Sequence, residues 1–133
     1  MAEAVIYAVE GDKLFRYLDN GQGDIGPGTV IGTGGWSQFT HLFSGVVGEI
    51  FALTADGKIK RYFDKGGPDI GTGAFIGNAG WTQFSSVFYG GNNLIQAITP
   101  DGKLRQYIVN GDADMGPGVQ IGSGGWQNVK VIH

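Results

Sequence analysis

Three tryptophans, Trp36, Trp81 and Trp126, are the only ones in the 133-residue chain, and they stand 45 residues apart. Each has the same neighbours: glycine just before it (Gly34-Gly35, Gly80, Gly124-Gly125) and a side-chain amide two residues after it (Gln38, Gln83, Asn128). In the loop ahead of each unit an aspartate recurs at the same step, as Asp24, Asp69 and Asp114. These are the parts that sugar recognition needs. An indole face can cover the C–H surface of a pyranose, amides and carboxylates exchange hydrogen bonds with hydroxyls, and glycine leaves backbone N–H groups open to an acetamido oxygen. The competing reading is structural, with each tryptophan packed between repeats and each aspartate holding its own turn. Residue type leaves that choice open for the tryptophans, whereas Phe39, Phe84 and Tyr17 read as core.

Other chemistries lack their components. His41 and His133 are the only histidines, there is no cysteine to join them in a metal set, and His41 is replaced by Ser86 and Val131 at the equivalent positions. Asp19, Asp24, Asp64 and Asp69 fall in glycine-rich loops, where a carboxylate commonly holds a backbone turn, so no enzyme is expected. A calcium site would need several converging oxygen ligands, and each repeat brings one repeated aspartate; neither metal nor cofactor is expected. A net charge of −3 without a run of lysine or arginine gives no footprint for nucleic acid. No stretch approaches the roughly 20 apolar residues that span a bilayer, and the first residues carry no basic n-region. The chain therefore reads as soluble, without membrane insertion, and the absence of cysteine leaves its compartment open.

The elements that must position these groups are strands. Glycine at 26 positions would fit a flexible chain, but 41% hydrophobic and 12% aromatic content call for a packed one. Val5–Val9 and Lys13–Tyr17 flank a tight turn at Glu10-Gly11-Asp12, and the pattern returns at 50–53 and 58–62 about Asp56-Gly57, and at 95–98 and 103–107 about Asp101-Gly102. Asp-Gly between two strand-like runs signals a hairpin. A third strand follows at 29–31, 74–76 and 119–121, and a fourth at 39–43, 84–88 and 129–133. No segment carries a helical period. Leu14 and Tyr17, with Ile59/Tyr62 and Leu104/Tyr107, have odd separations that put them on opposite faces of one strand. A sheet with large apolar groups on both faces must be covered on both, as a propeller blade is by its neighbours. The alternating Ile6/Ala8, Ile50/Ala52 and Ile95/Ala97 fit an inner strand near an axis. The fold expected is an all-β propeller of four-stranded antiparallel blades, with 1–133 a single segment of three repeats of about 45 residues, near 5–49, 50–94 and 95–133.

The unit Ile31-Gly32-Thr33-Gly34-Gly35-Trp36-Ser37-Gln38-Phe39, its copies at 76–84 and 121–129, and the following Gly48-Glu49-Ile50-Phe51-Ala52 resemble the tachylectin-2 family of β-propeller lectins. The resemblance runs over essentially the whole chain. It implies sites for N-acetylated sugars, such as N-acetylglucosamine or N-acetylgalactosamine, between adjacent blades. Two departures are visible: where the family has Asp-Asn-Trp before the third strand, this chain has Asp24-Ile25-Gly26, and where the family closes a ring of five blades, three repeats stand here.

Three blades form an open arc whose end faces are apolar, and such an arc is expected to associate. If blade and repeat boundaries are offset, Val129–Ile132 completes a sheet with Val5–Val9 of another chain. The expectation is a homodimer closing a six-bladed ring, which would make weak sites multivalent. A protein-binding platform and an engineered or fragmentary repeat protein without a ligand are the alternatives.

Overall fold

The computed structural model describes residues 4–19, 21, 23, 25–110 and 115–130. Strands β1 (Ala4–Glu10), β2 (Lys13–Asp19) and β3 (Thr29–Gly32) form the first sheet. Strands β4 (His41–Ser44), β5 (Glu49–Leu53), β6 (Ile59–Phe63) and β7 (Ala74–Gly77) form the second. Strands β8 (Ser86–Gly91), β9 (Leu94–Ile98), β10 (Leu104–Ile108) and β11 (Val119–Gly122) form the third. All pairings are antiparallel between spatial neighbours. The three sheets are the blades of a propeller arc.

Blade and repeat boundaries are offset. The fourth strand of the first repeat, β4, pairs with β5 of the second, His41 opposite Leu53 and Ser44 opposite Ile50. Strand β8 likewise pairs with β9. Blade 1 therefore holds three strands, and β1 is an edge strand among the described residues. Half of the expected closing strand, 131–132 of 129–132, lies outside the described residues. Strands β4 and β8 approach each other, so the blades converge at this edge. That puts β4 and β8 innermost and the Ile50/Ala52 strand second, because the offset inserts a strand from the preceding repeat.

The recurrent motif explains how each blade seats on the next. Gly32, Gly77 and Gly122 lie against the indole nitrogen of their own tryptophan: a Cβ there would stand 2.1, 2.3 and 2.3 Å from Nε1 of Trp36, Trp81 and Trp126. The glycine before each tryptophan, Gly35, Gly80 or Gly125, has φ near +85°, as the left-handed region demands. The chain then makes one 3₁₀ turn, 36–38, 81–83 and 126–128, which delays the fourth strand by two residues relative to its expected start.

The opposite-face reading of β6 is what packing shows. Ile59 joins the cluster between blades 2 and 3, whereas Tyr62 joins the cluster between blades 1 and 2. The two junctions differ in polarity. Between blades 1 and 2, Arg16 Nη1 donates to Asp64 Oδ1 at 2.7 Å and the Tyr7 hydroxyl donates to Asp64 Oδ2 at 2.8 Å. Between blades 2 and 3, Phe51 and Val109 occupy the corresponding places, and Phe51 stacks on Tyr89 at 5.9 Å. Arg61, the counterpart of Arg16, donates to the fully buried Glu49 of its own blade at 2.7 Å.

Candidate carbohydrate grooves between the blades

Trp36 and Trp81 each stand at a blade edge, and the wall opposite belongs to the next blade. Trp81 is 5% exposed and packs its ring 4.5 Å from Tyr107 and 5.4 Å from Phe84. Above this aromatic floor a groove of ≈ 670 Å³ opens between blades 2 and 3, with Gly80, Gln83 and Asn78 on one side and Lys103, Arg105 and Pro117 on the other. The equivalent groove between blades 1 and 2 is smaller, ≈ 260 Å³. It is lined by Gly34, Gly35, Trp36 and Gln38 against Lys60, Tyr62 and Thr72, with Trp36 4.7 Å from Tyr62.

The sequence-derived candidates therefore separate into three groups. Gly34, Gly35, Trp36 and Gln38 share one groove, and Gly80, Trp81 and Gln83 share the other. Gly124, Gly125, Trp126 and Asn128 lie on the outer face of blade 3, where Trp126 is only half-buried and no further blade follows among the described residues. The aspartates do not join them in the same way. Asp24 and Asp114 lie outside the described residues, and Asp69 Oδ1 accepts the Gly71 N–H at 3.0 Å, a bond that holds its own loop. That loop supplies Gly71 and Thr72 to the first groove.

Burial settles how much ring each tryptophan offers. With 5% exposure, Trp36 and Trp81 are junction core, and only an edge of either indole reaches its groove. What the rim offers a ligand is then mainly polar. The backbone donors differ between repeats. In the first, Asp12 Oδ2 accepts the Gly35 N–H at 2.7 Å, while its Oδ1 accepts the Ser37 N–H at 2.9 Å and the Ser37 hydroxyl at 2.7 Å. The Ser37 hydroxyl, with the Gly35 and Ser37 N–H groups, holds the Asp12 carboxyl down at about 2. In the second repeat Gly57 takes the place of Asp12, its carbonyl accepting Trp81 N–H at 3.1 Å as Asp12 does for Trp36 at 3.2 Å. Gly57 has no side chain to offer Gly80 and Thr82. In the third, Gln127 folds over Gly102, its Oε1 1.8 Å from where a Cβ would stand.

The cations of the second wall are absent from the sequence reading. Arg105 Nη2 donates to the Pro117 carbonyl at 2.7 Å and its guanidinium sits 5.9 Å from the Tyr107 ring centre, while Lys60 Nζ lies 5.3 Å from that of Tyr62. A signal existed: Lys60-x-Tyr62 and Arg105-x-Tyr107 put cation and ring on the same face of a strand. What sequence spacing does not show is that this face meets the tryptophan of the preceding repeat. Among the described residues no cluster of three or more metal-ligating side chains occurs.

Comparison with known proteins agrees with this geometry. The Tachylectin family model matches residues 1–133. No curated protein matches. Among solved structures the chain is similar to a symmetrical protein whose de novo evolutionary emergence was shaped by folding constraints, with 26% identity and a TM-score of 0.67. That match covers 92% of this chain and 56% of the other, so the chain spans about half the length of the structure it resembles. Because that match runs over the whole chain and all three repeats, the chain belongs to the Tachylectin family.

Proposed function

We propose that the chain is a lectin that binds N-acetylated sugars, such as N-acetylglucosamine or N-acetylgalactosamine, in the grooves between successive blades and without a metal. The observation that carries the reading is the groove between blades 2 and 3, where an apolar floor at Trp81, Phe84 and Tyr107 is rimmed by the Gln83 and Asn78 amides and the Arg105 guanidinium. Such a groove fits one sugar ring, with the methyl of an acetamido group toward the aromatic floor and hydroxyls toward the rim. The groove between blades 1 and 2 is the weaker site of the two, because it is smaller and Asp12 already occupies its backbone donors.

A monosaccharide makes few contacts and loses its freedom on binding, so single-site Kd values of about tens of micromolar to millimolar are expected. Such sites become effective through avidity when several are linked, which two chains closing one six-bladed ring provide. Titration of N-acetylglucosamine against tryptophan fluorescence and by calorimetry tests the reading. Binding should survive EDTA unchanged. Loss of binding in chelator with recovery on adding calcium would overturn metal independence, and one tight site per chain would overturn the repeated weak sites.

Asp69 enters this reading through its loop. Asp69→Ala removes the bond to the Gly71 N–H and loosens the wall of the first groove, so it should weaken sugar binding there several-fold, by about 1 kcal/mol. Thermal stability should change little, since the side chain is exposed. Unchanged affinity in calorimetry of Asp69→Ala would remove the loop from the site.

A further inference from the structure

The two grooves share an aromatic floor and differ in the wall opposite. Strand β10 turns Arg105 and Tyr107 to one face, as β6 turns Lys60 and Tyr62, so each groove has a cation beside the tyrosine that meets its tryptophan. In the first repeat the same position holds Phe15, whose ring stacks 6.2 Å from that of Tyr17. A blade therefore accepts an aromatic ring, an ammonium or a guanidinium there, and its packing does not call for a charge.

Arg105 is fixed in place without being neutralised. Its Nε donates to the Tyr107 hydroxyl at 3.2 Å and its Nη2 to the Pro117 carbonyl at 2.7 Å, and both acceptors are uncharged. These bonds leave the outer edge of the fork, Nη1 with the second Nη2 N–H, to give. The other charges of this groove offset each other. Lys103 Nζ lies 3.5 Å from Asp101 Oδ2, and the Thr99 hydroxyl donates to Asp101 Oδ1, which holds that carboxyl below its usual range. The positive charge that remains is that of Arg105. In a chain of net charge −3 it is a local feature and not part of a basic surface.

The first groove is poorer in each respect. Lys60 Nζ lies 5.1 Å from the Phe75 ring centre and 5.3 Å from that of Tyr62, and an ammonium has no planar fork to match a carboxylate or sulfate edge. In the second groove Gln120, opposite Arg105 on β11, takes the place of Phe75 and adds an amide. The volumes divide the same way. That of the second groove, ≈ 670 Å³, lies within the range of about 300–1,000 Å³ usual for ligand sites, whereas ≈ 260 Å³ falls below it.

We propose that the groove between blades 2 and 3 selects N-acetylated sugars that carry an anionic group, a carboxylate or a sulfate ester, with Arg105 taking the anion. The inference rests on the sugar-binding reading. The acetamido methyl lies on the floor of Trp81, Phe84 and Tyr107, the Gln83 and Gln120 amides take hydroxyls, and the anion pairs with the outer edge of the guanidinium. A fork already held by Tyr107 and Pro117 loses little freedom on binding, so the charge-assisted pair adds about tenfold in affinity in a groove open to solvent.

Calorimetry of the whole chain tests this with N-acetylglucosamine, N-acetylglucosamine 6-sulfate and the methyl glycoside of N-acetylneuraminic acid. At least one of the anionic sugars should bind about tenfold tighter than the neutral one, and which of them does so tells a sulfate site from a carboxylate site. The ratio should fall several-fold between about 0.05 and 0.5 M salt. Arg105→Gln should bring the ratio near one, Arg105→Lys should keep only part of it, and Lys60→Gln should leave most of it. If Arg105→Gln does not fold, Arg105→Lys and the salt dependence of the wild type carry the test. Equal or weaker binding of both anionic sugars, while N-acetylglucosamine binds, overturns the proposal and leaves the functional reading standing. A preference that survives in Arg105→Gln, or that salt does not change, overturns it as well, as does inorganic sulfate binding as tightly as the sulfated sugar. Binding of none of the three sugars removes the functional reading and this inference with it.

Discussion

Trp81→Ala should cost the fold about 3–5 kcal/mol and empty the groove between blades 2 and 3 of its floor. The ring is 5% exposed and lies between Phe84 of its own turn and Tyr107 of the next blade. Gly77 is held at glycine by the same ring, which stands where a Cβ would be. Truncation leaves a hole between Phe84, which closes the 3₁₀ turn, and Tyr107 in β10, which cannot move inward without breaking the ladder of its sheet. The loss should therefore fall at the upper end for a large-to-small change. Urea denaturation of wild type and variant measures it through the change in midpoint at constant slope. A loss below about 1 kcal/mol would show that the junction closes over the hole. Sugar titration of the surviving folded fraction should lose the second groove and retain the first.

Asp64→Ala is expected to be nearly as damaging, about 3 kcal/mol, for an electrostatic reason. Its side chain is 5% exposed, and Arg16 beside it is 13% exposed. Removing the carboxylate leaves a largely buried guanidinium and a half-buried phenol facing a hole, with the Gly66 and Gly67 carbonyls at 3.3 Å still bonded to Arg16 among the described residues. Replacing Asp64 and Arg16 together by leucine should recover most of the loss, because the penalty comes from the orphaned charge. Glu49 and Arg61 offer the same test within blade 2.

The same cluster makes the first junction sensitive to pH at both extremes. Burial opposes ionisation of Asp64, but the Gly66 N–H, the Tyr7 hydroxyl and Arg16 outweigh it and hold the carboxyl below its usual range. A depressed carboxyl contributes stability above its unfolded value, about 4, and loses it as pH falls through the folded value. Burial first, and then the bond to Asp64, push the Tyr7 phenol up from 10.0 to about 12. Its contribution is complete below 10.0 and lost as pH rises from there to about 12. Melting temperature against pH should fall at both ends in wild type, and Tyr7→Phe should lack the part of the alkaline limb that Tyr7 supplies. An identical alkaline limb in Tyr7→Phe would show that Tyr7 does not titrate between the two states.

What the sequence alone determined is the periodic part. A 45-residue step in Trp36, Trp81 and Trp126 demands a repeat, and the period-2 strands with Asp-Gly turns demand antiparallel sheets. Large apolar groups on both faces of one strand demand that every sheet be sandwiched. These inferences hold because hydrophobic pattern and turn stereochemistry act over a few residues. Only the tertiary structure decided which groups meet across a junction, since the facing residues come from different repeats and no local rule links them. Arg16 and Arg61 occupy the same repeat position, yet Arg16 pairs with Asp64 of the next blade and Arg61 with Glu49 of its own sheet, and Val109 holds the place of Asp64 at the second junction. In the same way the Asp12 carboxylate fills the Gly35 and Ser37 N–H donors of one groove, while Gly57 has no side chain to offer Gly80 and Thr82 in the next. The burial that makes Trp81 more core than platform arises from Tyr107, 26 residues further along the chain, which reaches it only because blade 3 folds back against blade 2.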